Sequence, residues 1–280
     1  MATTRRDLRL RLGGVGYCND TVVTSATGGD STKILATTLK QLDDAFNYGQ
    51  VVVVTGSAAG DRRVIADWVQ STGTLTPDRN FTGVIASGNT FEIHRLFAAD
   101  DKDAAISEVI RASDRRFCRL IENESVTLSA ATFGYSLDSL TVPVDRLHGI
   151  DRIEYATGAS GTTPPWQPYK SDWWKIRDNN GALTLQLTRL PVTSQKLRLI
   201  YQVRPGVLDA DTSALDPDDT AFAEYICSGA AGLLFERKAQ IGEDSMAEAN
   251  QQIATRFRAE SYLRLASTGT LPIQTVKGKG

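Results

Sequence analysis

The stretch from Leu215 to Ala266 constrains the fold more than any other part of the chain. Leu215-Asp216-Pro217 supplies an N-cap and a proline at the first helical position, and Asp218 and Asp219 put negative charge at the positive end of the helix dipole. That pattern predicts a helix running to Gln240. Gly242 breaks it, and a second helix follows from Glu243 to Ala266, with Met246, Ile253, Phe257 and Leu263 along one side. The first of the two carries Cys227-Ser228-Gly229-Ala230-Ala231-Gly232 in its middle. Such a run weakens a helix unless close backbone approach to another element returns the loss. Gly229, Ala230 and Gly232 are therefore candidate packing residues, against the partner helix or against a neighbouring subunit.

Upstream the texture is different. Residues 21–25, 50–55, 62–69, 73–76 and 90–95 are short β-rich runs separated by clusters of Gly, Asn, Asp and Ser, which predicts a small β-barrel or sandwich over 20–97. Residues 5–12 read as a short helix stopped by Gly13-Gly14, and a further helix is predicted from the aspartate pair Asp100-Asp101 to about Phe117. A second β-rich region over 121–213 has candidate strands at 125–128, 149–155, 173–178, 182–188 and 195–203. Asn179-Asn180-Gly181 is its hairpin turn, and Leu183, Leu185 and Leu187 alternate with polar residues as in a sheet with one dry face. Residues 157–168, rich in Gly and Pro, read as a loop.

With 31 basic against 33 acidic residues the formal charge is -2, a poor match to a protein that binds by neutralising phosphates along a duplex. The three cysteines, Cys18, Cys118 and Cys227, form no C-x-x-C pair and are expected to be reduced and buried. No apolar run reaches the roughly 20 residues that cross a bilayer, and no membrane partner is expected.

Reactive chemistry finds little material. The two histidines, His94 and His148, have no metal-ligating neighbour at helical spacing. Gly56 to Asp61 superficially suggests a phosphate loop, but Asp61 and Arg62 stand where lysine and a hydroxyl are required. Phe133-Gly134-Tyr135-Ser136 lacks the second glycine of a nucleophile elbow. Asp172 with Asp145, Asp151 or Glu154 could be imagined as a glycosidase pair, and Trp166, Tyr169, Trp173 and Trp174 could stack a sugar face or fill a core or oligomer interface. No catalytic residue, metal or cofactor is expected. Arg5, Arg6, Arg9 and Arg11 at one end and Lys277 and Lys279 at the other concentrate positive charge near the termini, where an arm could dock on an acidic partner or touch DNA in a channel.

The basic opening MATTRRDLRLRLGG, the turn-rich phrases TVVTS, YGQVVVVTGSAAGDRRVIADWVQSTGTLT and NTFEIHRLFAADD, and the helix LDPDDTAFAEYICSGAAGLLFERKA resemble the head-to-tail adaptor, or connector, proteins of tailed bacteriophages. The likeness follows motif order across most of the chain. It implies an α+β fold: a helical bundle built from 1–19, 98–120 and 214–268, with two antiparallel β-domains inserted at 20–97 and 121–213. It implies a structural virion protein of the neck, assembled in the host cytoplasm and working as a ring of about twelve copies. The ring would sit between the portal protein and the tail or next neck protein and line a channel through which DNA passes without sequence-specific binding. It also implies a flexible C-terminal arm over 269–280, with Leu271, Pro272, Ile273, Val276, Lys277 and Lys279 as portal-docking candidates, Trp173 and Trp174 as interface candidates and the four N-terminal arginines as channel or partner charges. The competing expectation is a phage tail or receptor-binding module that recognises a host glycan through the β-regions and the tryptophan cluster.

Overall fold

Thr4 and Asp7 open the chain with a capping box: the Thr4 hydroxyl accepts from the Asp7 amide at 3.3 Å and the Asp7 carboxylate accepts from the Thr4 amide at 2.9 Å. A cap of this kind is worth about 1 kcal/mol, and it starts helix α1, Arg5–Gly13. The computed structural model describes residues 2–113, 117–129, 132–140, 142, 144, 149–158, 161–189, 194–216, 218–241, 244–267 and 276–277. Within it the chain divides into two units, Met1–Ile110 with Val207–Ser267, and Arg111–Gly206 with Thr268–Gly280.

In the first unit, β1 (Thr21–Ser25), β2 (Gly28–Gly29), β3 (Ile34–Leu35), β4 (Gln50–Val53), β5 (Arg62–Val69), β6 (Thr74–Pro77) and β7 (Thr90–His94) form one seven-stranded sheet in the order β1-β7-β4-β5-β6-β3-β2. Their apolar positions, among them Ile34, Val51, Ile65, Trp68, Leu75, Phe91 and Ile93, make a core of their own. The alternate positions of β7, Glu92 and His94, are just as deeply buried. They face α1 and helix α2 (Ala99–Arg111), with which they exchange hydrogen bonds and ion pairs. The helix pair α3 (Thr220–Ile241) and α4 (Asp244–Ser267) belongs to the same unit.

This overturns the expected helical bundle with two inserted β-domains. Among the described residues the fold is mostly β, with sheets of seven, five and three strands against four α-helices. The first sheet is no insertion, because β7 and β5 share one polar interior with α1 and α2.

Asp219, rather than Asp216, caps α3: its carboxylate accepts from the amides of Ala221 at 2.7 Å and Phe222 at 3.0 Å. Pro217 and Gly242 lie outside the described residues. α4 packs inward through Asn250, Ala254, Phe257 and Ser261. The expected apolar side is corrected accordingly, since Phe257 is buried but Met246, Ile253 and Leu263 are exposed. The reason is close approach: a Cβ on Gly232 would lie 3.1 Å from Arg258 Cγ and one on Gly229 3.0 Å from a Val109 methyl, so small residues serve where bulky ones were expected.

In the second unit, β8 (Arg119–Asn123), β10 (Ile150–Ala156), β11 (Trp166–Pro168), β14 (Leu197–Val203) and β15 (Val276–Lys277) make a sheet ordered β11-β10-β14-β8-β15. β9 (Gly134–Ser136), β12 (Trp174–Asn179) and β13 (Ala182–Leu187) make a second, ordered β12-β13-β9. Leu183, Leu185 and Leu187 alternate into a shared core with Ile121, Ile153, Leu197, Leu199 and Tyr201. Asn180 at φ 52 and Gly181 at φ 97 form the β12–β13 turn, the conformation that Asn-Gly favours. The loop expected over 157–168 ends in strand β11, where Pro168 is tolerated because the strand is an edge. The expected strand at 125–128 is reduced to an isolated bridge from Thr127 to Lys196.

Candidate functional site

Arg9 sits at the centre of the first unit's polar interior. Its side chain is fully buried, and it donates to Glu92 Oε2 at 3.2 Å, to Asp103 at 3.0 and 3.1 Å, and to Asp211 at 2.8 and 2.9 Å. Around this core Arg5 pairs with Asp211 at 3.0 Å, Arg6 with Glu92 at 2.6 Å, and Arg62 with Asp103 at 2.8 Å and with Asp100. Elements far apart in sequence are thereby tied at one point: α1, β5, β7, α2 and the segment before α3.

The cluster extends through His94. Its Nε2 donates to Glu92 Oε2 at 3.1 Å, which leaves Nδ1 to accept from Lys102 Nζ at 3.1 Å, and Lys102 in turn donates to Asp20 at 2.5 Å. Burial lowers the pKa of His94, and the Lys102 ammonium lowers it further against the opposing pull of Glu92, so the ring is held neutral. Burial alone would raise the Glu92 carboxyl. The His94 hydrogen bond, the Arg9 charge and the Arg6 hydrogen bond outweigh it and hold the group at about 2. A hydrogen bond from Arg9 likewise holds Asp211 well below the usual carboxylate range. Burial pushes the neighbouring Cys18 thiol up to about 12. Charges matched this closely around a fully buried guanidinium fasten elements together.

The four N-terminal arginines were expected to point outward at a partner or at DNA. The structure places Arg5, Arg6 and Arg9 in this interior, and Arg11 against Glu224 at 3.2 Å on α3. Their charge is met within the chain, because α1 packs its arginine face against the sheet.

The first unit's surface carries a different feature. Ile241 is 87% exposed, Met246 61%, Leu263 68% and Ile253 36%. Met246 and Ile253 are seven residues apart, so they share one flank of α4. At their end of the helix pair lies a groove of about 420 Å³ lined by Leu96, Phe97, Leu234, Lys238, Ile241 and Met246. Charged residues of both signs border the face, with Arg237 paired to Glu108 at 2.6 Å and Arg256 to Glu260 at 2.9 Å.

No protein-family model matches this chain, and no curated protein matches it by sequence. The reading of the site therefore rests on its geometry.

Gly229, Ala230 and Gly232 lie at the α2, α3 and α4 contacts inside the first unit, with Ala230 fully buried. Trp173 and Trp174 are half-buried in the second unit. Trp173 packs edge-on against Tyr169 at 5.5 Å, with the Arg189 guanidinium over its ring at 4.5 Å. Arg198 covers Trp166 at 4.3 Å. Glu154 is paired with Arg152 at 3.2 Å and with Arg198 at 3.5 Å, and Asp151 accepts from Gln202 at 3.0 Å. Two of the imagined glycosidase carboxylates, Asp151 and Glu154, are thus engaged in sheet contacts, while Asp172 sits in the turn Ser171–Trp173. Gly56 and Gly60 take positive φ in a turn, as expected. Among the described residues no cluster of three or more His, Cys, Asp or Glu is placed to hold a metal, and no helix is long and apolar enough to cross a membrane. Asp145, His148, Leu271, Pro272, Ile273 and Lys279 lie outside the described residues. Val276 and Lys277 form β15.

Sequence reading missed the carboxylates and Lys102 of the buried cluster. The signal was available for Lys102, which falls on the helical repeat of Ala99, Ile106 and Val109, a core position, whereas Glu92 alternates with Phe91 and Ile93 as a solvent-facing strand residue would.

Proposed function

We propose that this chain is a structural subunit of a tailed-phage neck, a head-to-tail adaptor whose work is to bury surface against like copies and against the rings above and below it. The observation that carries the reading is the uncovered apolar patch at one end of the helix pair, Ile241, Met246 and Ile253, set beside the groove at Leu96 and Phe97. Isolated apolar residues are normal on a surface, but several on one flank beside a groove are the pattern of an interaction site. The occupant is a second copy of the chain: the bordering charges are of both signs, as a contact between identical, nearly neutral molecules requires.

Two further observations support it. The pairing of Arg5, Arg6, Arg9 and Arg11 with carboxylates of the chain offsets the positive charge of its basic opening, which suits a channel wall past which DNA must slide. The deeply buried cluster locks the helices to the first sheet, and a rigid subunit holds ring geometry. The order of motifs resembling connector proteins points the same way.

The test is the double variant Met246→Glu/Ile253→Glu. Both sites are exposed, so the melting temperature should stay close to that of the parent, while assembly into rings should fall at least tenfold. Unchanged assembly would remove this face from the proposal.

A further inference from the structure

β8 would be the free edge of the second unit's larger sheet if β15 were not beside it. One side of β8 pairs along its length with β14, from Leu199 opposite Asn123 to Val203 opposite Arg119. On the other side Val276 and Lys277 pair with Ile121 and Glu122, in parallel, whereas the other strand pairs of the described residues are antiparallel. A parallel strand cannot arrive by a hairpin and must be carried in from a distance.

The residue types match position by position. Val276 stands opposite Ile121, a core residue, and Lys277 opposite Glu122. Glu122 belongs to a row in which Arg198 is shared by Glu124 at 3.1 Å, Glu154 at 3.5 Å and Glu122 itself at 3.8 Å. Glu154 also has Arg152 at 3.2 Å and Glu124 has Lys196 at 4.0 Å, which leaves Glu122 with the most distant of the three contacts to Arg198 and makes a cation the fitting residue type opposite it.

We infer that the β8 edge is a strand-receiving site whose occupant, in the assembled protein, is the C-terminal strand of a neighbouring copy. This rests on the ring reading and deepens it. Strand β15 covers two of the five residues of β8, and backbone hydrogen bonds contribute about 1 kcal/mol net each, so seating within one chain is readily exchanged. An exchanged strand makes the same contacts in either form, which leaves effective concentration to set the balance. Residues 268–275 tether β15 to α4, a reach of about 30 Å at full extension, the scale of one subunit. A ring holds the neighbour's edge at that range permanently.

The experiment uses full-length chains in a Cys118→Ser background, one carrying Glu122→Cys and the other Lys277→Cys, mixed in equal amounts, concentrated and oxidised with diamide. Paired strands bring these positions within disulfide range, and in the mixture that bond can form only between chains. A covalent dimer several-fold above the level in either variant alone is the expected result. No such excess overturns the exchange, whether or not a chain bearing both cysteines closes on itself. If rings are present in that sample, the ring reading survives and the strand is seated within its own chain; if the sample is monomeric throughout, both fall.

Discussion

Replacing Arg9 by Met keeps most of the side chain's apolar stem and removes the charge at the centre of the buried cluster. Breaking a buried pair by removing one partner costs about 3–5 kcal/mol. Here each abandoned carboxylate retains a cation: Glu92 has Arg6 at 2.6 Å, Asp103 has Arg62 at 2.8 Å, and Asp211 has Arg5 at 3.0 Å. That places the loss at the lower end, about 3 kcal/mol, a large part of a typical total stability of about 5–15 kcal/mol. The pH dependence gives a second handle. Glu92 is lowered from 4.5 to about 2, which corresponds to about 3 kcal/mol of stability. Because the folded value is the lower one, this contribution is complete above pH 4.5 and is lost as the pH falls toward 2. In Arg9→Met the folded-state carboxylate holds its proton at higher pH, so its acid loss is smaller and ends at a higher pH, and the gap between the two proteins narrows toward pH 2. Urea unfolding at pH 7 and at steps down to pH 3 reads both effects. A loss within about 0.5 kcal/mol at pH 7, the range of an ordinary surface change, or a gap independent of pH, would refute the reasoning.

Three further outcomes are expected. Gly229→Leu should lower stability by about 1–3 kcal/mol through overpacking, since even its Cβ would lie 3.0 Å from Val109; an unchanged melting temperature would show that the contact can yield. His94 has a lowered pKa in the folded state, so its contribution is complete above pH 6.5 and declines below it; His94→Gln should flatten the stability profile between pH 6.5 and 5, and equal slopes in both proteins would count against a neutral buried ring. Met246→Glu/Ile253→Glu should leave thermal unfolding intact while weakening assembly, as light scattering will read.

Local signals made much of the fold legible. Turn chemistry located the longer strands, Asn180-Gly181 located a hairpin, and the alternation of Leu183, Leu185 and Leu187 identified a buried face. Architecture was not legible, because it depends on charges that meet only in three dimensions. Arg9 reads as a surface residue in a basic opening until Glu92, Asp103 and Asp211, scattered over the sequence, are brought to it. The apolar side of α4 was visible as a pattern, yet its direction was not, since the glycines of α3 let Asn250, Ala254 and Ser261 take the inner positions. Strand β15 could not be read from two residues at the end of a low-complexity tail.

Copies of this chain are proposed to close into a ring through their own surfaces. Electron microscopy of the purified chain at high concentration, with and without a portal ring, tests it directly. Closed rings of uniform copy number around an open channel are the predicted result, and a chain that stays a monomer under both conditions would contradict it.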